Sequence, residues 1–191
     1  YRVAVLSVKG GVGKTSTTIG LGATFASLRG DRVIAIDANP DFGTLAHRVP
    51  EPNPATVRDL LRAPSTDRYA EVRSYTTQAP SRLEVLGSER DPSISEAFSA
   101  IDYDRTLDIL RRHYNILLTD CGTGIVHGAV GSILAQANCL VLVATPALDG
   151  ARSAWATLDW LSAHGWADLV SSTVVVVNQL TDVGVDAESL R

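Results

Sequence analysis

The sequence predicts an α/β protein, a mostly parallel sheet covered by helices on both faces. Three observations carry that prediction. Short, continuously apolar runs recur along the chain, as in Val3-Ala4-Val5-Leu6, Val33-Ile34-Ala35-Ile36 and Val174-Val175-Val176-Val177, and such runs suit strands buried on both sides. Stretches of helical length separate them, and strands alternating with helices at this spacing build a parallel sheet. The first run opens into a glycine-rich turn that leads into a helix, and two later runs end in a carboxylate, Asp37 and Asp120.

Taken in order, the first strand spans Arg2 to Val8, with its apolar part ending at Ser7. After the glycine turn, TSTTIGLGATFASL (15–28) reads as a helix packed closely through small residues and stopped by Gly30-Asp31. Arg32 to Asp37 is a second strand. Residues 38–56 are loop-like, with Pro40, Pro50, Pro52 and Pro54, and Thr56 is placed to cap a short helix, VRDLLRA. The stretch 64–80 shows no dominant period. Leu83 to Gly87 is a strand, 87–100 a surface loop, and 103–113 a helix with apolar Leu107, Ile109 and Leu110. Tyr114 to Asp120 is a strand, followed by a CGTGI loop and a small-residue helix at 127–137. A buried strand, Cys139 to Ala144, precedes a helix from Asp149 to His164 and a last strand, Thr173 to Asn178. In that last helix Trp155, Leu158 and Leu161 form a stripe expected to face the sheet.

At 191 residues and 45% hydrophobic content the chain suits one domain with a substantial core. A net charge of -4 without any Lys/Arg run argues against a whole-domain nucleic-acid surface and leaves room only for a local patch. Cys121 and Cys139 belong to no CxxC pair, which points to a reduced, cytoplasmic protein. No apolar segment reaches the roughly 18 residues of a membrane span, and no secretory pattern opens the chain. Because Tyr1 already adjoins the first strand, residues 1–191 read as a single domain excised from a longer chain and lacking its C-terminal part.

The chemistry begins at Lys9-Gly10-Gly11-Val12-Gly13-Lys14-Thr15-Ser16. Glycines let the backbone curl so that several N–H groups face one point, and the following helix N-terminus adds partial positive charge. Lys14 can reach β- and γ-phosphates, and the Thr15 hydroxyl can ligate Mg²⁺. The usual G-x-x-x-x-G-K-[ST] pattern would have glycine at position 8, where this chain has Val8. The second lysine, Lys9, makes the stretch resemble the deviant Walker A motif, KGGxGK[TS], of the MinD/ParA family of P-loop ATPases. That resemblance implies a P-loop NTPase fold of MinD/ParA type, ATP and Mg²⁺ as cofactors, and an ATP-dependent homodimer. In such a dimer Lys9 would reach the phosphates bound by the other subunit and stabilise charge in the transition state.

The resemblance extends along the chain. IAIDANPDFGTL (34–45) is similar to the family's first switch, DxDP, with Asp37 at the first carboxylate and Asn39 at the second, which in the family orients or activates the attacking water. An amide can hold water but cannot take its proton. Two outcomes stay open: Asp41 substitutes for the missing carboxylate, or the domain hydrolyses ATP hardly at all and works as a nucleotide-gated switch. Asp120 resembles the Walker B aspartate that holds Mg²⁺ and accepts from Thr15. Cys121-Gly122-Thr123-Gly124 falls at the second switch, with two glycines to let the backbone move. Asn178 matches a residue that reads the adenine edge, and Pro146 one that frames the nucleoside. The resemblance therefore implies catalytic Lys9, Lys14, Asn39 and Asp41, and nucleotide binding by Gly10 to Ser16 and Asn178. Its metal ligands would be Thr15, Asp37 and Asp120.

DANPDFGTLAHR and LDGARSAW look most like actinobacterial MinD-like domains associated with type VII secretion, so the implied partner is secretion machinery. Three competitors remain. One is a partition-type ATPase binding non-specific DNA through Arg48, Arg58, Arg62, Arg68 and Arg73. The others are a non-hydrolysing regulatory module and a ligase-type metabolic enzyme.

Overall fold

The computed structural model describes residues 1–39, 43–88, 99–123 and 129–179. Its centre is β1 (Arg2–Ser7), whose residues 3–7 are all buried. Around it lie β2 (Val33–Ala38), β3 (Thr77–Gln78), β4 (Glu84–Leu86), β5 (Ile116–Thr123), β6 (Cys139–Ala144) and β7 (Thr173–Val177), in the order β3-β4-β2-β5-β1-β6-β7. Every pairing is parallel except β3 with β4. Alternation along the strands divides the core in two. Val3, Val5, Val33, Ala35, Leu118 and Val141 face α1 (Lys14–Leu28) and a short 3-10 turn, Ala46–Arg48. Ala4, Leu6, Ile34, Ile36, Leu117 and Leu142 face the opposite layer. That layer holds α2 (Val57–Leu61), α3 (Tyr69–Arg73), α4 (Ala100–Leu110), α5 (Val130–Gln136), α6 (Leu148–Ala163) and α7 (Ala167–Ser171).

Local chemistry sets the helix ends. Thr56 caps α2 in a capping box with Asp59, and Ser99 does the same for α4 with Asp102, starting that helix at Ala100 rather than 103. α1 ends without a basic residue of its own. Arg82, from the turn before β4, donates to the carbonyls of Ala26 (2.7 Å), Arg29 (3.4 Å) and Ser27 (3.5 Å), supplying the missing positive charge.

Three expectations need correction, and the 64–80 stretch, where the sequence shows no dominant period, folds as α3 and β3 around a buried carboxylate. Glu84, 2% exposed, accepts from the hydroxyls of Tyr69, Tyr114 (2.6 Å) and Thr76 (2.7 Å), with Arg73 at 3.8 Å. β5 continues past Asp120 to Thr123, so Cys121 to Thr123 are strand rather than loop, because β2 pairs with Cys121 and β1 with Thr123. Trp155 is 69% exposed and does not face the sheet. The buried face of α6 is Gly150, Ala154, Thr157 and Leu161, since the helix approaches closely: a Cβ on Gly150 would stand 2.6 Å from the Thr145 carbonyl oxygen. Helix cover also stops short of β7, where Val174, Val175 and Val177 are 54, 44 and 50% exposed. Among the described residues no helix is long and apolar enough to cross a membrane.

Candidate nucleotide site

Parallel strands bring the singled-out residues to one end of the sheet. β1 delivers the loop 8–13, β2 delivers Asp37, and β5 delivers Asp120 beside it in register. Val5 of β1 is paired with Asp120 from the other side. Gly11 and Gly13 have φ of 76° and 91°, a left-handed conformation that side-chain-bearing residues rarely adopt. Gly13 is also the N-cap of α1 and offers no side-chain acceptor, so the first-turn N–H groups of Lys14, Thr15 and Ser16 lack a capping partner. Val8, at the position of the usual glycine, is 40% exposed and needs no left-handed backbone.

Lys14 and Asp120 form a buried ion pair at 2.7 Å, with side chains 8% and 2% exposed. The other Asp120 oxygen accepts from Thr15 Oγ1 at 2.7 Å, and Thr18 Oγ1 lies 3.3 Å from Oδ1. Asp37 is 1% exposed and accepts from the backbone N–H of Asn39 and of Leu45, both at 3.1 Å. Burial pushes its carboxyl up to about 7; the neighbouring Asp120 adds to the rise, while those two N–H groups and the Lys14 ammonium oppose it. Asn39 is half-buried, next to these carboxylates. Asp41 and Gly124 lie outside the described residues. Cys121 is fully buried, its thiol pushed up to about 12, which fits a packing role.

Asn178 leaves β7 and turns toward the loop. Its Nδ2 donates to the Val12 carbonyl at 2.8 Å and sits where a Gly13 side chain would be. It therefore braces the glycine turn, while its Oδ1 is the part of the amide still available to a base. Lys9, Gly10, Gly11, Val12, Pro146, Asp149 and Asn178 help line a groove of about 330 Å³.

Lys9 has a partner different from that of Lys14. Its ammonium pairs with Asp149 in the first turn of α6, and this contact holds the Asp149 carboxyl below its usual range. The sequence reading missed that partner, which lies 140 residues away, and also missed Thr18, one helical turn after Lys14. The second could have been read from the i, i+4 spacing; the first has no local signal.

The donor set fits a magnesium ion. Two carboxylates and a hydroxyl, all hard oxygen ligands, converge at the ends of β2, β5 and the start of α1. Burial and the neighbouring Asp120 push Asp37 toward its neutral form. A loop that only glycine permits, followed by uncapped helical N–H groups, fits a phosphate chain.

This cradle, on this sheet order, is that of a nucleotide-binding P-loop domain. The chain belongs to the CobQ/CobB/MinD/ParA nucleotide binding domain family, whose model matches residues 3–183. It is 38% identical over 180 residues to the ESX-1 secretion-associated protein EspI of Mycobacterium tuberculosis, covering 94% of this chain and 27% of EspI. It is 30% identical over 182 residues to the septum site-determining protein MinD of Synechocystis, covering 93% of this chain and 64% of that one. The chain thus spans about a quarter of the first relative and under two thirds of the second. A ParA family ATPase from Chlorobium tepidum superposes with a TM-score of 0.79 at 18% identity, covering 92% of this chain and 72% of that one. The septum site-determining protein MinD of Pyrococcus horikoshii, in complex with Mg-ADP, superposes with a TM-score of 0.74 at 16% identity, covering 99% and 75%. These two likenesses show the fold.

Proposed function

We propose that the chain is a Mg-ATP-dependent dimerisation switch that hydrolyses slowly and serves a secretion machine of type VII. The observation that carries it is the separation of the two lysines. Lys14 is buried in the cradle, on Asp120, whereas Lys9 is held at the exposed rim of the groove by Asp149. A lysine kept at the surface suits an anion presented by a second copy.

In this reading the loop N–H groups from Gly10 to Ser16 hold the phosphates, and Lys14 moves from Asp120 to the β- and γ-oxygens. Thr15, Asp120 and Asp37 hold the metal. Magnesium, when bound, neutralises charge on the phosphate oxygens. Asn39 orients the attacking water but cannot deprotonate it, and that sets the slow rate. Asn178 fixes the loop through Val12 and offers Oδ1 to the adenine edge. The secretion partner follows from the likeness to EspI, whose own name places it with ESX-1 secretion.

Size analysis with Mg-ATP, Mg-ADP and no nucleotide tests this, on wild type and Lys9→Ala side by side. ATP is expected to shift wild type to a dimer, and Lys9→Ala to bind ATP yet stay monomeric. Equal dimerisation of both proteins would remove Lys9 from the interface. No observation favours the DNA reading: of the arginines that would form its surface, Arg68 pairs with Glu71 and Arg73 with Glu84.

A further inference from the structure

Ser88 follows β4, the strand beside β2. Its hydroxyl is the one buried side-chain polar atom among the described residues that has no hydrogen-bond partner. Such an atom costs free energy where it stands, so a second state that satisfies it is favoured. An acceptor is close by. A Cβ built on Gly43 would lie 2.0 Å from Ser88 Oγ and 2.8 Å from Asp37 Oδ2, so both oxygens border the space the glycine leaves empty. Each Asp37 oxygen has a single backbone donor, Asn39 N–H on Oδ1 and Leu45 N–H on Oδ2, and a carboxylate oxygen can accept two. Asp37 also sits beside Asp120 in the register of β2 and β5.

We propose that Ser88 is a positioning residue for Asp37, its hydroxyl turning onto Oδ2 to hold the carboxylate aimed when a magnesium–nucleotide complex occupies the cradle. This inference rests on the nucleotide reading above and adds to it a residue that no part of the Walker-type pattern contains. Ser88 acts only through Asp37, so its effect falls on the metal and not on the contacts that the loop 10–16 makes to the phosphate chain.

Calorimetric titration of the ADP-loaded chain with Mg²⁺ separates the two, on wild type, Ser88→Ala and Ser88→Thr, with metal-free ADP affinity and melting temperature measured alongside. Ser88→Ala is expected to weaken Mg²⁺ binding about tenfold, the size of one hydrogen bond to a charged group. Metal-free ADP affinity stays at the wild-type value, and the melting point does not fall, because an unpartnered hydroxyl is being removed. Ser88→Thr, which keeps the hydroxyl, binds Mg²⁺ like wild type. Wild-type Mg²⁺ affinity in Ser88→Ala overturns the proposal. So does a joint fall of melting point and metal-free ADP affinity, which would mark a packing role. A wild-type chain that binds no ADP at all sinks the nucleotide reading itself, a result distinct from either.

Discussion

Asp37 is buried at 1% exposure, and its carboxyl is pushed from the ordinary 3.8 up to about 7. In the unfolded chain the group ionises near pH 4. Between those values the folded state keeps a proton that the unfolded state has lost. The unfolded state therefore binds fewer protons there, and stability falls as pH rises. The contribution is fully present below about pH 4, is lost as pH climbs through about 7, and is absent above that. About three pH units at roughly 1.36 kcal/mol each give about 4 kcal/mol as a ceiling, because water reaching an ionised Asp37 relieves part of the penalty. Urea unfolding of the chain without metal and nucleotide, at several values between about pH 5 and 8, reads this directly. Wild type is expected to lose up to about 3 kcal/mol more across that range than Asp37→Asn, whose side chain stays neutral. Parallel pH profiles for the two proteins would refute the assignment of a buried Asp37 that holds its proton above the ordinary carboxylate range.

Other perturbations read different parts of the site and scaffold. Gly13→Ala places a methyl on the Asn178 amide in a left-handed backbone, with an expected loss of about 2–3 kcal/mol in chemical unfolding and of ADP binding by calorimetry. Arg82→Ala removes the charge at the end of α1 and is expected to cost about 1–2 kcal/mol, a fall of a few degrees in melting temperature. Trp155→Ala, on an exposed face, changes unfolding free energy by less than about 0.5 kcal/mol. Asp149→Asn frees Lys9, so dimer should form at lower ATP concentration in light scattering.

The parts legible in the sequence were those whose cause is local. A strand, a glycine turn and a helix leave a contiguous pattern, and the apolar runs of β1, β2 and β6 announce burial on both faces. Thr56 marks the start of α2 by its own side chain. The illegible parts have causes spread through the fold. Nothing in 64–80 repeats, because α3 and β3 are held by hydroxyls converging on Glu84 instead of an apolar stripe. Of the predicted stripe, Leu161 is buried and Leu158 packs against the core, whereas close approach at Gly150 turns the small face inward at that end and leaves Trp155 outside. Gly122 reads as loop, but pairing on both sides keeps it in β5. At the site, residue types at the ends of β2 and β5 were readable, whereas the Lys9–Asp149 contact and the orphaned Ser88 hydroxyl exist only once the sheet has assembled.

The two lysine contacts also differ in what can release them, and the difference bears on how a switch of this kind stays off. Lys14 and Asp120 are both buried, so separating them strands an ion on each side, at a cost of about 3–5 kcal/mol for a buried pair. Lys14 can leave Asp120 only if another anion receives it and another cation takes its place. In the proposed function phosphate and magnesium together would meet both conditions and either alone would fail one, which would couple nucleotide and metal affinities at this site. Lys9 and Asp149 lie at the surface, where water compensates both charges, and their contact opens without such a penalty. Filling the cradle would therefore act first on Lys14, leaving Lys9 to an anion that approaches from the surface. Under the proposal, that ordering would let one lysine register the chain's own nucleotide and the other a partner's.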